Sequence, residues 1–219
     1  MKLISVLLFL ACTFTSFFAN AAYEVSRRDL KLATQQMIEK RTVTTPVLAD
    51  VNRLKLNQAS SSSVTTTVTT FLAQPDVCRN ITVTPGGTTA SVPAGDVVVT
   101  GTNIFGATIT ENLAFLADAS TVTAGLKAFC TVSSVLIPVQ DGAGATYNIG
   151  VGDVLGLHRC MANAGNVIFA TFNGAYEATR PTCVADSNEV EKNTCDINGT
   201  LDGAKTVEIF FIQNYGCTP

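Results

Sequence analysis

From Val64 onward the chain is a succession of short β-branched runs, each closed by glycine, proline, asparagine or aspartate. Val64 to Thr70 opens the series as a Thr-rich edge strand, since side chains branched at Cβ suit a pleated surface. Cys78 to Thr84 alternates, and Pro85-Gly86-Gly87 then predicts a turn. Asp96 to Gly101 and Ala107 to Phe115 flank Thr102-Asn-Ile-Phe-Gly106 and read as a hairpin. Lys127 to Val139 is a further alternating run, ended by Asp141-Gly-Ala-Gly144. Thr146 to Val151 and Val154 to Leu157 flank a Gly152-Asp153 turn, and Asn166 to Phe172 and Thr206 to Gln213 complete the set. Ala185 to Gly203 is polar and reads as a long loop pinned by Cys183 and Cys195. Strands this short, at this spacing, predict an all-β fold, a β-sandwich of jelly-roll or immunoglobulin-like type. The low charged fraction of 14% and the absence of tryptophan fit a turn-rich β domain, and no internal period emerges.

The N-terminus has a different logic. Met1-Lys2 precedes an apolar run from Leu3 to Phe18, and Ala19-Asn20-Ala21 follows with small residues at the positions signal peptidase reads. Residues 1–21 therefore read as a signal peptide cut after Ala21, and the protein as secreted. Thr13, Thr15 and Ser16 interrupt the run, so it is a poor spanning helix, and no membrane span is expected once it is removed. Arg27-Arg28 and Lys40-Arg41 are dibasic pairs of the kind processing proteases cut after, which makes Arg28 and Arg41 candidate processing sites. Residues 22–41 then form a pro-segment, with a short helix capped by Asp29 and striped by Leu30, Ala33 and Met37. Residues 42–63 read as a linker and residues 64–219 as a single β domain.

Seven cysteines are present, and Cys12 leaves with the signal. Cys78, Cys130, Cys160, Cys183, Cys195 and Cys217 remain, an even number in an oxidising compartment, and predict three disulfides of undetermined connectivity. None shows the C-x-x-C spacing of a zinc or redox site. Asn80-Ile-Thr82 and Asn198-Gly-Thr200 are sequons, so Asn80 and Asn198 are candidate glycosylation sites.

Charge excludes one partner class. The whole chain carries −3, and a cut after Arg41 leaves eight basic against fourteen acidic residues, net −6. A nucleic-acid footprint needs the opposite sign, so no nucleic acid is expected. Catalytic constellations are sparse. The single histidine, His158, adjoins Arg159 and Cys160, but a half-cystine is no thiolate nucleophile. A hydrolase site in the loops around His158 and Asp153 stands as an alternative, although no G-x-S-x-G elbow supports it. Asp186, Glu189, Glu191 and Asp196 crowd together without EF-hand spacing or neighbouring aromatics, and read as a solvated acidic loop. Asp141-Gly-Ala-Gly144 occurs once and is read as a turn, not a calcium repeat; Gly101 to Gly106 lacks the lysine and helix of a phosphate cradle. Phe71, Phe105, Phe115, Phe129, Phe169, Phe172, Phe210 and Phe211 read as core. No cofactor or metal is expected.

Several strings resemble a β domain of tailed-bacteriophage structural proteins: Gln74-Pro-Asp-Val-Cys-Arg-Asn-Ile-Thr82, Val98 to Gly106 leading into Thr110-Glu-Asn112, Lys127 to Ser133, Gln140 to Thr146, Gly152 to Leu157 and Glu191 to Asn198. The resemblance spans roughly residues 68–214. The signal and the cysteines depart from that pattern and resemble a secreted version of fungal type. The resemblance implies a non-enzymatic assembly or adhesion module, an effector or extracellular structural protein. Its partner is then a protein or glycan outside the cell, and a homo-oligomer is compatible with it. A virion-associated component is the further alternative.

Overall fold

The computed structural model describes residues 38–212 and is all-β, with three short 3-10 turns as its only helical segments among the described residues. The first sheet orders β1 (Ile38–Val43), β14 (Val207–Ile212), β10 (Val167–Phe172) and β11 (Ala175–Tyr176). The second orders β12 (Thr182–Val184), β13 (Thr194–Asp196), β9 (Ala145–Gly156), β4 (Arg79–Gly87) and β7 (Thr123–Phe129), and β2 (Asp50–Ala59) also pairs with β9. The third orders β3 (Thr66–Val68), β8 (Thr131–Ile137), β5 (Gly95–Thr102) and β6 (Thr108–Phe115). All pairings are antiparallel.

Two buried clusters lie between these sheets, and β9 contributes to both. Its N-terminal half, Ala145, Tyr147, Ile149 and Val151, joins Ile81, Val83 and Phe129 of the second sheet and Val97, Val99, Val135 and Ile137 of the third. Its far end, Leu155 and the following Leu157, joins Val167, Val207, Ile209 and Phe211 beneath the first sheet. Period-two alternation sends one face of each strand inward, and each fully buried large side chain contributes about 1.5–3 kcal/mol.

Several sequence expectations are corrected. The residues read as a linker contain the ten-residue β2, which places Leu54 fully in the core while its other residues are half-buried or exposed. A strand with one buried residue has too little apolar alternation to be read from sequence. The last residues of the pro-segment, Ile38 to Arg41, belong to β1; the helix proposed from Asp29 otherwise lies outside the described residues. Pro85-Gly86-Gly87 does not turn but extends β4 opposite Tyr147, Thr146 and Ala145. Gly152-Asp153 does not break β9 either, because the missing side chain of Gly152 makes room for Asn80, whose Oδ1 accepts the Val154 N–H at 3.2 Å. Lys127 to Val139 is two strands, and the chain passes from the second sheet to the third at Cys130, which is bonded to Cys78. The hairpin of β5 and β6 forms as expected, closed by Asn103 N–H to Ala107 O at 2.9 Å and Gly106 N–H to Asn103 O at 3.0 Å.

The segment 185–203 is more ordered than a pinned loop. Cys183 and Cys195 sit directly opposite one another in β12 and β13 and are bonded to each other. Asn193, fully buried, accepts from Met161 N at 2.8 Å and Asp186 N at 3.0 Å, and donates to Asp186 O and Glu189 O at 2.9 Å each. A buried amide with all its groups paired costs little and holds the backbone around it.

Glu111 on β6 closes another gap. Its carboxylate accepts the Leu126 N–H at 2.6 Å and the Lys127 N–H at 3.1 Å, so a side chain serves part of the β7 edge that no strand pairs. Burial raises its pKa, and the same two backbone donors oppose that shift. Glu111→Ala leaves both N–H groups unpaired at a partly buried edge, and urea denaturation is expected to show a loss of about 1–3 kcal/mol. An unchanged midpoint would mean that water serves those groups equally well.

Candidate binding face

The outer side of the first sheet carries side chains that the alternation of β14 turns away from the core. Val207, Ile209 and Phe211 point inward and are buried, leaving Glu208, Phe210 and Ile212 on the other face. Register brings Lys40 and Ile38 of β1 beside Phe210 and Ile212, and Phe169 and Thr171 of β10 beside Phe210 and Glu208. A shift in register between Val167 and Phe169 turns Ile168 outward as well, where it is 38% exposed. Such an irregularity re-aims side chains locally.

The result is an aromatic row across the strands. Phe210 and Phe169 stack at 4.4 Å between centroids with planes 21° apart, and Phe169 meets Tyr176 at 5.4 Å and 45°. Lys40 Nζ lies 6.0 Å from the Phe210 centroid at the opposite end of the row. Tyr176 is 68% and Ile38 63% exposed. Beside the aromatics, Lys40 donates to Glu208 Oε1 at 2.6 Å and Thr171 Oγ1 donates to Glu208 Oε2 at 3.1 Å. Those two contacts, the lysine first, hold the Glu208 carboxyl below its ordinary pKa. Phe169 and Phe210, read as core from sequence, thus face outward and are only half-buried. A strand's period shows only that two faces differ, and which face meets another sheet is a tertiary matter.

The remaining expected site residues lie elsewhere. Cys78–Cys130 and Cys183–Cys195 are bonded pairs, and Cys160 is disulfide-bonded. Cys217, Ala21 and Arg28 lie outside the described residues. Arg41 pairs with Ile209 inside β1, and burial lowers its pKa. A cut after it would separate Ile38, Glu39 and Lys40 from the sheet, so residues 38–41 are part of the fold and not solely of a leader. Asn80 is 1% exposed, donates to Gly125 O at 3.2 Å and accepts from Val154 N. Glycosylation favours exposed amides, and this fold encloses the Asn80 side chain. Asn198 is exposed and donates from Nδ2 to Thr179 O at 3.0 Å and Arg180 O at 3.1 Å.

His158 and Asp153 do not form one site. His158 Nε2 lies 2.7 Å from Glu39 Oε1, and Arg159 Nε is 3.2 Å from both oxygens of the same carboxylate. Its Nδ1 is buried without a partner, and its ring stands edge-on to Phe211 at 5.8 Å. No serine or threonine hydroxyl bonds His158 among the described residues. Asp153 instead lines a small open cleft of about 140 Å³ with Leu48, Asn198, Thr200 and Leu201.

The acidic segment is likewise not simply solvated. Asp186 is held below its ordinary pKa by the backbone N–H groups of Glu189 and Asn188, and Glu189 by Lys192 and then Lys127. Burial raises the Asp196 carboxyl, with Asp153 adding to the effect. Glu191 is only 8% exposed and paired with Lys127. No group of three or more metal-ligating side chains lies together among the described residues, and no helix among them is long and apolar enough to cross a membrane. No protein-family model matches the chain, and no curated protein or solved structure matches it.

Proposed function

We propose that the protein is a secreted, non-enzymatic, disulfide-braced β-sandwich of jelly-roll or immunoglobulin-like type that acts by binding or assembly through the outer face of its first sheet. The observation that carries this reading is the outward-facing row of half-buried Phe210 and Phe169 with exposed Tyr176, and exposed Ile38 and Ile168 beside it. Contiguous apolar surface with an aromatic centre and a polar rim is the composition of an interface, not of an ordinary solvated sheet. The signal-like N-terminus and the disulfides support the extracellular setting. Of the two dibasic pairs, a cut after Arg28 leaves β1 whole, and with it the Ile38 and Lys40 end of the face.

The occupant favoured by charge is a second copy of the chain. Lys40 and Glu208 neutralise one another within the face, so two copies meet without like-charge repulsion. Beyond β14, β1 has no other strand partner among the described residues, which leaves room for the face to continue at that edge. An assembly role also agrees with the resemblance to phage structural domains, in a secreted or a virion-associated setting. No described geometry favours the hydrolase alternative.

Sedimentation velocity over a wide concentration range tests the reading. Wild type is expected to associate as concentration rises. Ile168→Lys with Tyr176→Lys is expected to stay monomeric with an unchanged thermal midpoint, because both side chains are exposed. A wild type that remains monomeric at its highest soluble concentration overturns self-assembly, and binding assays on extracellular proteins and glycans then decide the binding reading.

A further inference from the structure

Three elements of the fold converge on one carboxylate. Glu191, in the 3-10 turn Val190–Lys192, accepts from Lys127 Nζ of β7 on Oε1 at 3.4 Å. Its other oxygen, Oε2, accepts from Asn103 Nδ2 at 3.2 Å, in the turn between β5 and β6. Each oxygen of this carboxylate holds one donor, so Glu191 bridges the Lys127 amine and the Asn103 carboxamide. Water has little access, since Asn103 is 7% exposed, Glu191 8% and the Lys127 side chain 18%.

The carboxamide is also set up as an electrophile. Asn103 Oδ1 accepts the backbone N–H of Phe105 at 3.0 Å and of Ala107 at 3.1 Å. Two fixed backbone donors on one carbonyl oxygen are the arrangement that stabilises the oxyanion of a tetrahedral intermediate. A lysine amine becomes a nucleophile when a neighbouring base takes its proton. Glu189 Oε2, 3.1 Å from Lys127 Nζ and 41% exposed, competes for the ammonium from the solvent side.

We propose that Lys127 and Asn103 form an intramolecular amide crosslink, with Glu191 carrying the protons between them. Glu191 takes one proton from the Lys127 ammonium, and the released lone pair on Nζ attacks Asn103 Cγ. The carbonyl pair moves onto Oδ1, where the Phe105 and Ala107 N–H groups hold it. Glu191 then gives its proton to Nδ2 and takes the next one from Nζ. The Oδ1 pair returns, the Cγ–Nδ2 bond breaks, and ammonia leaves, accepting the last proton from Glu191 to depart as ammonium. One C–N bond forms and one breaks, no oxidant or reductant is needed, and Glu191 is restored. The link ties the β5–β6 turn to β7 and so joins the third sheet to the second. It survives conditions that reduce the disulfides.

Mass spectrometry of the purified full chain decides the matter. After reduction, wild type is expected to be lighter than its sequence by one ammonia, and digestion to release a branched peptide joining Asn103 to Lys127. Glu191→Gln keeps the shape of the side chain but not the base, and is expected to show complete loss of the branched peptide. Lys127→Arg keeps the cation beside Glu191 and is expected to show the same loss, which preserves the test if the glutamine variant fails to fold. A folded wild type at full mass overturns the proposal. So does an ammonia loss located at Asn198-Gly199, as a succinimide, or a Glu191→Gln protein that remains crosslinked.

Discussion

Replacing Cys78 and Cys130 together by alanine is expected to cost about 4 kcal/mol, and replacing Cys183 and Cys195 about 3 kcal/mol, because the loop-entropy contribution grows with the logarithm of loop length. The bonded pairs are separated by 52 and 12 residues respectively. The larger bridge also sits where β4 begins and where β7 ends, so it closes the point at which the chain changes sheets. The smaller one joins two residues already opposite each other in a hairpin, whose unfolded ends are less separated. Urea denaturation of the two double variants checks the order. A larger loss from the 183–195 pair would mean that native packing around Cys195, fully buried in the second cluster, outweighs the chain-entropy difference.

Arg79→Ala is expected to destabilise by about 3–5 kcal/mol, the range for breaking a buried ion pair by removing one partner. Arg79 has no exposed surface, and its Nη1 donates to Val47 O at 2.9 Å and Asp76 Oδ1 at 3.1 Å. Its Nε and Nη2 are buried without partners, and burial lowers its pKa while Asp76 opposes that shift. The guanidinium therefore pins the backbone just ahead of β2 at considerable desolvation cost. Arg79→Met removes that cost while filling much of the space, and is expected to lose less than half as much as the alanine variant. Equal losses from the two substitutions would assign the effect to the contacts with Val47 and Asp76, lost in both variants, and not to the cavity. Asp76 retains the Val47 N–H at 2.8 Å in either variant, which limits the damage to the arginine side.

Much of the strand architecture is legible from residue order, for reasons visible at particular positions. The β5–β6 hairpin is announced by Asn103 and Gly106, and Gly106 does adopt a positive φ of 79°. The alternation of Val97, Val99 and Gly101 against exposed or half-buried neighbours shows as a period of two. β2 is hidden because Leu54 alone among its ten residues is buried. Gly152-Asp153 and Pro85-Gly86-Gly87 mislead because glycine serves close approach as well as turning, and only the neighbouring strand distinguishes the two uses. The outward aromatic row is illegible in sequence for a related reason: Phe210 and Phe211 are adjacent and chemically identical, yet one is half-buried and the other is fully buried.

By itself, then, the order of residues determined the all-β class, most strand positions, the cysteine positions and the signal-like start, because these depend on local period, composition and count. The tertiary structure alone decided which side of each strand is covered and which cysteines are opposite each other. It enclosed Asn80 against Gly152, and it brought Lys127, Asn103 and Glu191 to one point from three separate segments. Those outcomes depend on which sheet packs against which, and contacts between residues far apart in the chain leave no periodic trace along it.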